Sequence, residues 1–337
     1  MSVRKNGEAS DASAQTCDLV RLKWLDPKDV TRFSRKEPVI QAGASNEDVL
    51  QNIMRLTDEI FDHLSVFEQF PETTARGAVS QARNRWEASG ERAGLLRAER
   101  ELWTVYAALR DRRERFVGEQ LQTLGIEGHS HGLKLHIGSA GYLIEGWINI
   151  DAGGADLALN INWGLPFPDN SVAFAYSAHV LEHLRYSDQA PVFVREVLRV
   201  LAPGGTVRFV VPDLRKLFTA YAEGDREFFS DRHKFYPLND GFMNGDVANL
   251  DYVLLYGGAG PQNLNYNHKF GYDAHTLCKL LIAAGFASAI ESEFQQSMHP
   301  ELRIDDFSFD ARAESHGGRH YSLFVEARKR DPAETNQ

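Results

Sequence analysis

Three groups of residues have types and spacings that could do chemistry. The first is LHIGSAG, Leu135 to Gly141. A buried strand runs straight into Gly138, Ser139, Ala140 and Gly141. Small side chains let a ligand approach the backbone, and exposed N–H groups can hold a carboxylate or phosphate. The second is Asp151, which closes the run WINID. An acid at a strand tip can accept hydrogen bonds from both hydroxyls of a ribose. The GxGxxG fingerprint is absent, because Tyr142, Leu143 and Ile144 occupy the following positions. The stretch from Gly138 to Gly146 is also shorter than the roughly dozen residues that a crossover helix needs. Together these disfavour a dinucleotide and suit a nucleoside ligand without phosphates.

The third group is made of histidines and strand-end acids. His179 follows the apolar run SVAFAYS, and Glu182 and His183 stand one turn on. On a helix His179 and His183 would share a face, the spacing of a metal pair. No third ligand is evident in the sequence, so no metal is expected. His268, in NYNHKFGY, precedes a helix in a segment rich in Asn and Tyr, which suits polar substrate contacts. Asp213 follows VVP at another strand end. Asp305, Asp306, His316, Arg319 and His320 read as loop and surface residues. His129 and His131 lie in GIEGHSHG, a linker.

The elements that must position these groups can be read from periodicity. From about Ser45 to Leu124 the pattern is helical. Ser45 stands three before Asp48, a capping-box spacing, and Leu50, Ile53, Met54, Ile60, Phe61 and Leu64 follow. Phe70-Pro71 ends that element. A longer helix carries Leu102, Val105, Tyr106 and Leu109 on one face. Arg97, Arg100, Arg110, Arg112, Arg113 and Arg115, interleaved with Glu99, Glu101, Asp111 and Glu114, read as its solvated face; an anion site is the alternative.

After Gly132 the grammar changes. KLHI, WINID, SVAFAYS and TVRFVVP are short apolar strands bounded by turn residues, and ASAIESEF and HYSLFVEA follow near the end. One helix is capped by Ser187, buries Val194, Val197, Leu198 and Leu201, and is stopped by Pro203-Gly204-Gly205. Another starts at Asp273, buries Leu277, Leu280, Leu281 and Ala284, and ends at Gly285. Alternation predicts an α/β fold: a Rossmann-like, mostly parallel sheet with helices on both faces, preceded by a helical N-terminal region. A ligand would bind outside the carboxyl ends of the strands. The expected division is a disordered lead over 1–16, a helical region over 17–125, the α/β domain over 133–329 and a disordered tail over 330–337. Within the domain, 217–262 is an aromatic-rich insertion, equally suited to an acceptor lid or a satellite core.

Composition narrows the function classes. The 337 residues are 43% hydrophobic and 25% charged, with a net charge of −10. This opposes bulk attraction to nucleic acid or anionic lipid. Cys17 and Cys278 cannot build a disulfide framework, and Cys278 falls in a helical apolar pattern. No apolar run approaches the roughly 20 residues of a membrane span, and residues 1–16 lack a signal-peptide core. The expected compartment is a reducing cytoplasm.

The block NINWGLPFPDNSVAFAYSAHVLEHL, with REVLRVLAPGG and TVRFVVPDL after it, resembles class I S-adenosylmethionine-dependent methyltransferases. The resemblance is closest to a bacterial branch associated with polysaccharide or secondary-metabolite pathways, and it covers roughly residues 133–328. It implies methyl transfer from S-adenosylmethionine to a glycan or small-molecule acceptor. It also implies that Gly138, Ser139, Ala140 and Gly141 wrap the methionine part of the cofactor and that Asp151 holds the ribose. Asn160, with the Ile161 backbone, would meet the adenine edge. Ser177, Ala178 and His179 would lie beneath the methyl donor. His179 is then the first candidate for a general base, with His268 and Asp213 after it. The chain departs from the pattern at His136, Ala140 and Asn160. His136 and Ala140 favour a rival reading, a non-catalytic protein of the same fold that binds a partner through its N-terminal helices. A third reading is an RNA methyltransferase using the Arg-rich helix, which the acidic charge opposes.

Overall fold

The computed structural model describes residues 45–66, 81, 84, 92–229, 253, 254, 268–307 and 320–333. Cys17, Phe70, Pro71, His316 and Arg319 lie outside them, as do most aromatic residues of the 217–262 segment. Seven strands form one sheet: β1 (Leu133–Ile137), β2 (Ile148–Asp151), β3 (Leu157–Ala158), β4 (Val172–Ala178), β5 (Leu201–Pro212), β6 (Ser288–Ser292) and β7 (Ser322–Arg328). Their order is β3-β2-β1-β4-β5-β7-β6. The first five run parallel, and β7 enters antiparallel between β5 and β6. The chain winds outward from β1 in both directions, so the switch point lies between β1 and β4, where a crevice opens at the carboxyl ends. The α/β fold read from the sequence is the fold observed.

Among the described residues five helices accompany the sheet: α1 (Asn46–Val66), α2 (Arg92–Thr123), α3 (Gln189–Val200), α4 (Leu214–Ala222) and α5 (Ala274–Ala284). The main core joins Leu135, Ile137 and Val207 of the sheet to Val194 and Val197 of α3 and Leu277 and Leu281 of α5. On the other face Tyr176, Val210 and Phe324 pack under Ile144 and Trp147 of the β1–β2 connection and under Leu302. No helix lies between β1 and β2, in keeping with the short spacing.

Three cationic side chains, one fully buried and two half-buried, hold the frame. Arg208 of β5 has no exposed side-chain surface. Its guanidinium donates to both Asp305 oxygens (2.8 and 2.7 Å), to Glu326 Oε1 (2.9 Å) and to the carbonyls of Glu293 and Gln296. These bonds fasten the 293–305 segment to the sheet. Asp305 is therefore a buried structural ion rather than a surface residue, while Asp306 is exposed. Arg199 of α3 donates to Asp169 and to the carbonyls of Leu165 and Phe167, which shapes the LPFPDN turn. Lys329 Nζ donates to the carbonyls of Leu198, Arg199 and Leu201, orphan acceptors at the end of α3.

That lysine moves the end of α3 from where the glycines predicted it. The helix stops at Val200, and Leu201 already begins β5. Pro203-Gly204-Gly205 belongs to the strand's entry, where a Cβ on Gly205 would meet the Ala202 carbonyl oxygen at 2.9 Å. The N-cap of α3 is Asp188 rather than Ser187, which bonds to Asp188 instead. Asp273 caps α5 through Thr276 N, and left-handed Gly285 ends it, as the spacing predicts.

Helices α1 and α2 pack through Val49, Ile53, Leu56 and Ile60 against Leu95, Leu102, Tyr106 and Leu109. Two residues read onto the solvated face of α2 are buried: Glu99 meets Asn52, and Arg113 lies over the Trp163 ring. The last turns of α2 reach the main core through Val117 and Leu121. There Gln120 Nε2 donates to the Ala158 carbonyl, and its Oε1 accepts from Ala158 N. Its amide thus satisfies part of the open edge of β3, a strand too short to stand out in the sequence. Phe229 joins Leu217, Ala220, Val253 and Tyr321 in a small separate core, while Phe218 and Tyr221 are exposed.

Candidate functional site

The site is built at the carboxyl ends of β1, β2 and β4. Gly138 has φ 79°, and a Cβ there would lie 2.0 Å from Val180 Cγ2. Only glycine lets the loop after β1 pass so close to the turn after β4. Gly138 N and Ser139 N both donate to the Ile150 carbonyl, which ties the loop to β2. Ala140 also takes a left-handed φ, 45°, and is exposed, so its methyl points away from the packed loop. Its N–H donates to Asp151 Oδ2 at 2.8 Å, and Ala152 N donates to Oδ1 at 2.7 Å. Asp151 thus stands beside the glycine loop, with acceptor capacity beyond these two bonds.

His136 lies on the opposite face of β1, buried against Tyr176, with Nδ1 3.0 Å from Asn149 Oδ1. That oxygen also accepts from Ile144 N, so His136 Nδ1 carries the proton. Burial pushes the His136 pKa below the usual imidazole value, against the pull of its hydrogen bonds to Asn149 and Tyr142 and the charge of Asp151. This residue organises the β1–β2 connection. The two departures that favoured a non-catalytic protein, His136 and Ala140, thus have local structural explanations.

Two hydroxyls make the site receptive to a ligand. Ser139 Oγ and Ser177 Oγ are buried and have no hydrogen-bond partner among the described residues. Such groups call for a polar partner. Asn160 caps the turn Ile161–Trp163 by accepting from Asn162 N, placing Asn160 and Ile161 along the same edge beyond β3. S-adenosylmethionine fits this set: a close-approach loop, two unpartnered hydroxyls and a strand-tip carboxylate. Gly138, Ser139, Ala140 and Gly141 would flank its methionine part and Asp151 its ribose.

The chemistry-bearing groups gather after β4. Ala178 is buried beside His179, which has φ 55° and donates its backbone N–H to the Val210 carbonyl. The following LEH segment is one 3-10 turn, Leu181–His183, rather than an α-helix. The left-handed His179 prevents the helical face that would have paired it with His183. His179 instead bonds Glu182, with Nδ1 3.1 Å from Oε1, and its Nε2 lies 3.0 Å from Ser322 Oγ. A carboxylate only accepts, so Nδ1 carries the proton and Nε2 accepts from the serine hydroxyl. Burial alone would raise the Glu182 pKa. The hydrogen bond from His179 and the charges of His179, His183 and His268 overcome it and hold the carboxyl at about 2. The Ser322–His179–Glu182 chain has the spacing of a nucleophilic triad. Ser322, however, is fully buried within β7, and its carbonyl is taken by Lys216 Nζ, so no substrate reaches it.

The remaining predicted residues fall as follows. His268 sits beside this cluster because Lys269 N and Phe270 N both donate to the Glu182 carbonyl. Its ring meets His183 edge-on at 4.7 Å. Asp213 is buried and caps α4, its Oδ1 accepting from Arg215 N and Lys216 N. His320 stacks on Phe294 away from the cluster, at 4.0 Å. Sequence reasoning passed over Glu182 as a partner of His179 and over Ser322 entirely. Three-residue spacing after a strand could have suggested the first; nothing local signals the second, which arrives from β7.

The sequence model described as a methyltransferase domain matches residues 156–209, from β3 into β5. No curated protein matches the chain. Matching solved structures include a Thermotoga maritima methyltransferase described as a possible histamine N-methyltransferase. It is 15% identical over 64% of this chain and 89% of that chain, with a TM-score of 0.32. A putative S-adenosylmethionine-dependent methyltransferase from Listeria monocytogenes is 17% identical over 64% of this chain and 98% of that one, with a TM-score of 0.33. The 1,6-didemethyltoxoflavin-N1-methyltransferase of Burkholderia thailandensis is 15% identical over 64% and 77%, with a TM-score of 0.31. The methyltransferase-domain match spans β3, β4 and most of β5, and so includes the strand that leads into His179.

Proposed function

We propose that this enzyme methylates a hydroxyl oxygen of a small molecule or glycan, with His179 taking the hydroxyl proton. The observation that carries this reading is the Glu182–His179 pair beside the glycine loop. Glu182 holds the imidazole in the tautomer that leaves Nε2 as acceptor, and the Ser322 hydroxyl that fills it must turn away before the acceptor's proton arrives. When bound, S-adenosylmethionine supplies a methyl group on a positively charged sulfur. The protein's part is to align the acceptor, exclude water and remove its proton. His268 and Asp213 stand second as acceptor-facing groups. The exposed rings Phe218 and Tyr221 on α4, which starts at the carboxyl end of β5, suit a sugar ring or another flat-faced acceptor. The setting we propose is a reducing cytoplasm. Cys278 is a free thiol whose pKa is pushed up by burial and by Glu291. No helix among the described residues is long and apolar enough to cross a membrane.

The test uses cofactor carrying an isotopically labelled methyl group, incubated with cell extract, and mass spectrometry of the labelled product. His179→Asn keeps a residue that tolerates the left-handed backbone. It should lower turnover on that product by about a hundredfold or more, the scale of a lost general base. Cofactor affinity should stay within about threefold. Equal losses in both would make His179 a cofactor-holding residue and end its role as base.

A further inference from the structure

Next to His179 the structure assembles a second group, which shares Glu182 with the pair already described and adds His183 and His268. Glu182, His183 and His268 each offer one ligand atom, and these atoms lie within 4.8 Å of one another. Glu182 is fully buried, and its Oε2 has no hydrogen-bond partner among the described residues, since only Oε1 serves His179. His183 Nδ1 is likewise buried without a hydrogen-bond partner among the described residues. A buried carboxylate oxygen left bare costs free energy unless something cationic meets it. The backbone makes the grouping deliberate: the turn Leu181–His183 presents Glu182 and His183, and two N–H bonds onto the Glu182 carbonyl bring His268 alongside.

We propose that Glu182, His183 and His268 form a binding site for a divalent transition-metal ion of borderline softness, such as zinc. Two imidazoles and one carboxylate are a donor set that such ions prefer over magnesium or calcium. Ligand atoms about 2.1 Å from a tetrahedral ion stand roughly 3.4 Å apart. Binding therefore draws the cluster inward by about an ångström across its widest pair. Three protein ligands leave a coordination position open, the mark of a catalytic rather than a structural site.

The function of this site rests on the hydroxyl-methylation reading. An acceptor hydroxyl in the open position becomes more acidic. Its O–H bond breaks, the electron pair stays on oxygen, and the proton passes to His179. His179 keeps its bond to Glu182 Oε1 while Oε2 faces the ion, so one carboxylate serves both base and metal.

The experiment is titration of the full chain, stripped with a chelator, with zinc and separately with cobalt(II), read by calorimetry and by the cobalt absorption spectrum. The expected result is one ion per chain, with an intense visible band from low-symmetry cobalt. His183→Ala and His268→Ala should each weaken zinc by at least a hundredfold with unchanged circular dichroism. His268→Gln serves as a second variant if alanine unfolds the segment. Absence of stoichiometric zinc, or affinity unchanged in folded variants at both histidines, would overturn the site. The two readings can fail separately. Zinc bound at these residues in a chain that methylates nitrogen alone would remove the hydroxyl reading and keep the site. Hydroxyl methylation by a chain without stoichiometric zinc would do the reverse.

Discussion

Val180 Cγ2 stands where a side-chain carbon on Gly138 would have to go, 2.0 Å from that position. The glycine loop after β1 and the turn after β4 are therefore packed as one unit. What disturbs one should be felt by the other.

Gly138→Ala tests that coupling. Alanine meets Val180 and must also adopt φ 79°, which costs roughly 1–2 kcal/mol in the left-handed region. The variant should lose at least tenfold in cofactor affinity. Adding Val180→Ala relieves the clash but not the backbone strain. The double variant should recover part of the affinity and not all of it. Complete recovery by calorimetry would mean that φ is unimportant, and none would mean that Val180 is not the obstacle.

The Arg208 network makes a prediction about stability. Arg208→Met keeps much of the side-chain volume and leaves Asp305 and Glu326 without their cation. Removing one partner of a buried ion pair costs about 3–5 kcal/mol. Urea denaturation should show a loss of that size. A change under 1 kcal/mol would mean that water reaches these carboxylates.

His136 sets a pH dependence. Its folded pKa lies below the ordinary imidazole value because burial disfavours the charged ring. Below pH about 6.5 the unfolded chain takes up a proton that the folded chain refuses. Stability from this group is complete above that pH and falls as the pH drops toward the folded pKa. His136→Gln, whose amide can still donate to Asn149, should flatten the fall. Urea midpoints measured between pH 5 and 7 check it, and parallel curves for the two proteins would exclude the residue.

At the edge of the sheet, Gln120→Leu should expose the backbone of Ala158. The loss of two hydrogen bonds costs about 1–3 kcal/mol. Hydrogen exchange at Ala158 should quicken while exchange at Ala175 in β4 does not. Equal acceleration at both would mean that the helix supports the whole sheet rather than its edge.

Much of this structure was legible in the residues, and the gaps have physical causes. Strands β1, β2, β4 and β5 announce themselves as apolar runs ending in turn residues, and Asp273 and Gly285 mark both ends of α5. Strand β3 is two residues long, too short for any period, and is held by Gln120 from 38 positions away. The end of α3 is set by Lys329, an interaction across about 130 residues that no local rule contains. Asp305 looked like a surface acid because its partner, Arg208, lies in another strand. The same distance effect hid the site: His179, Glu182 and His183 are local, whereas Ser322 and His268 arrive from β7 and from the segment before α5.

Binding of S-adenosylmethionine to the purified chain and to Asp151→Ala tests the central claim most directly. The strand-tip carboxylate stands against the glycine loop at 2.8 Å, where a ribose would meet it. Isothermal titration should give saturable binding of one cofactor per chain, weakened in Asp151→Ala by about 1–3 kcal/mol, roughly five- to 150-fold. No heat of binding at near-millimolar cofactor, or equal affinity in a folded Asp151→Ala, would contradict the site described here.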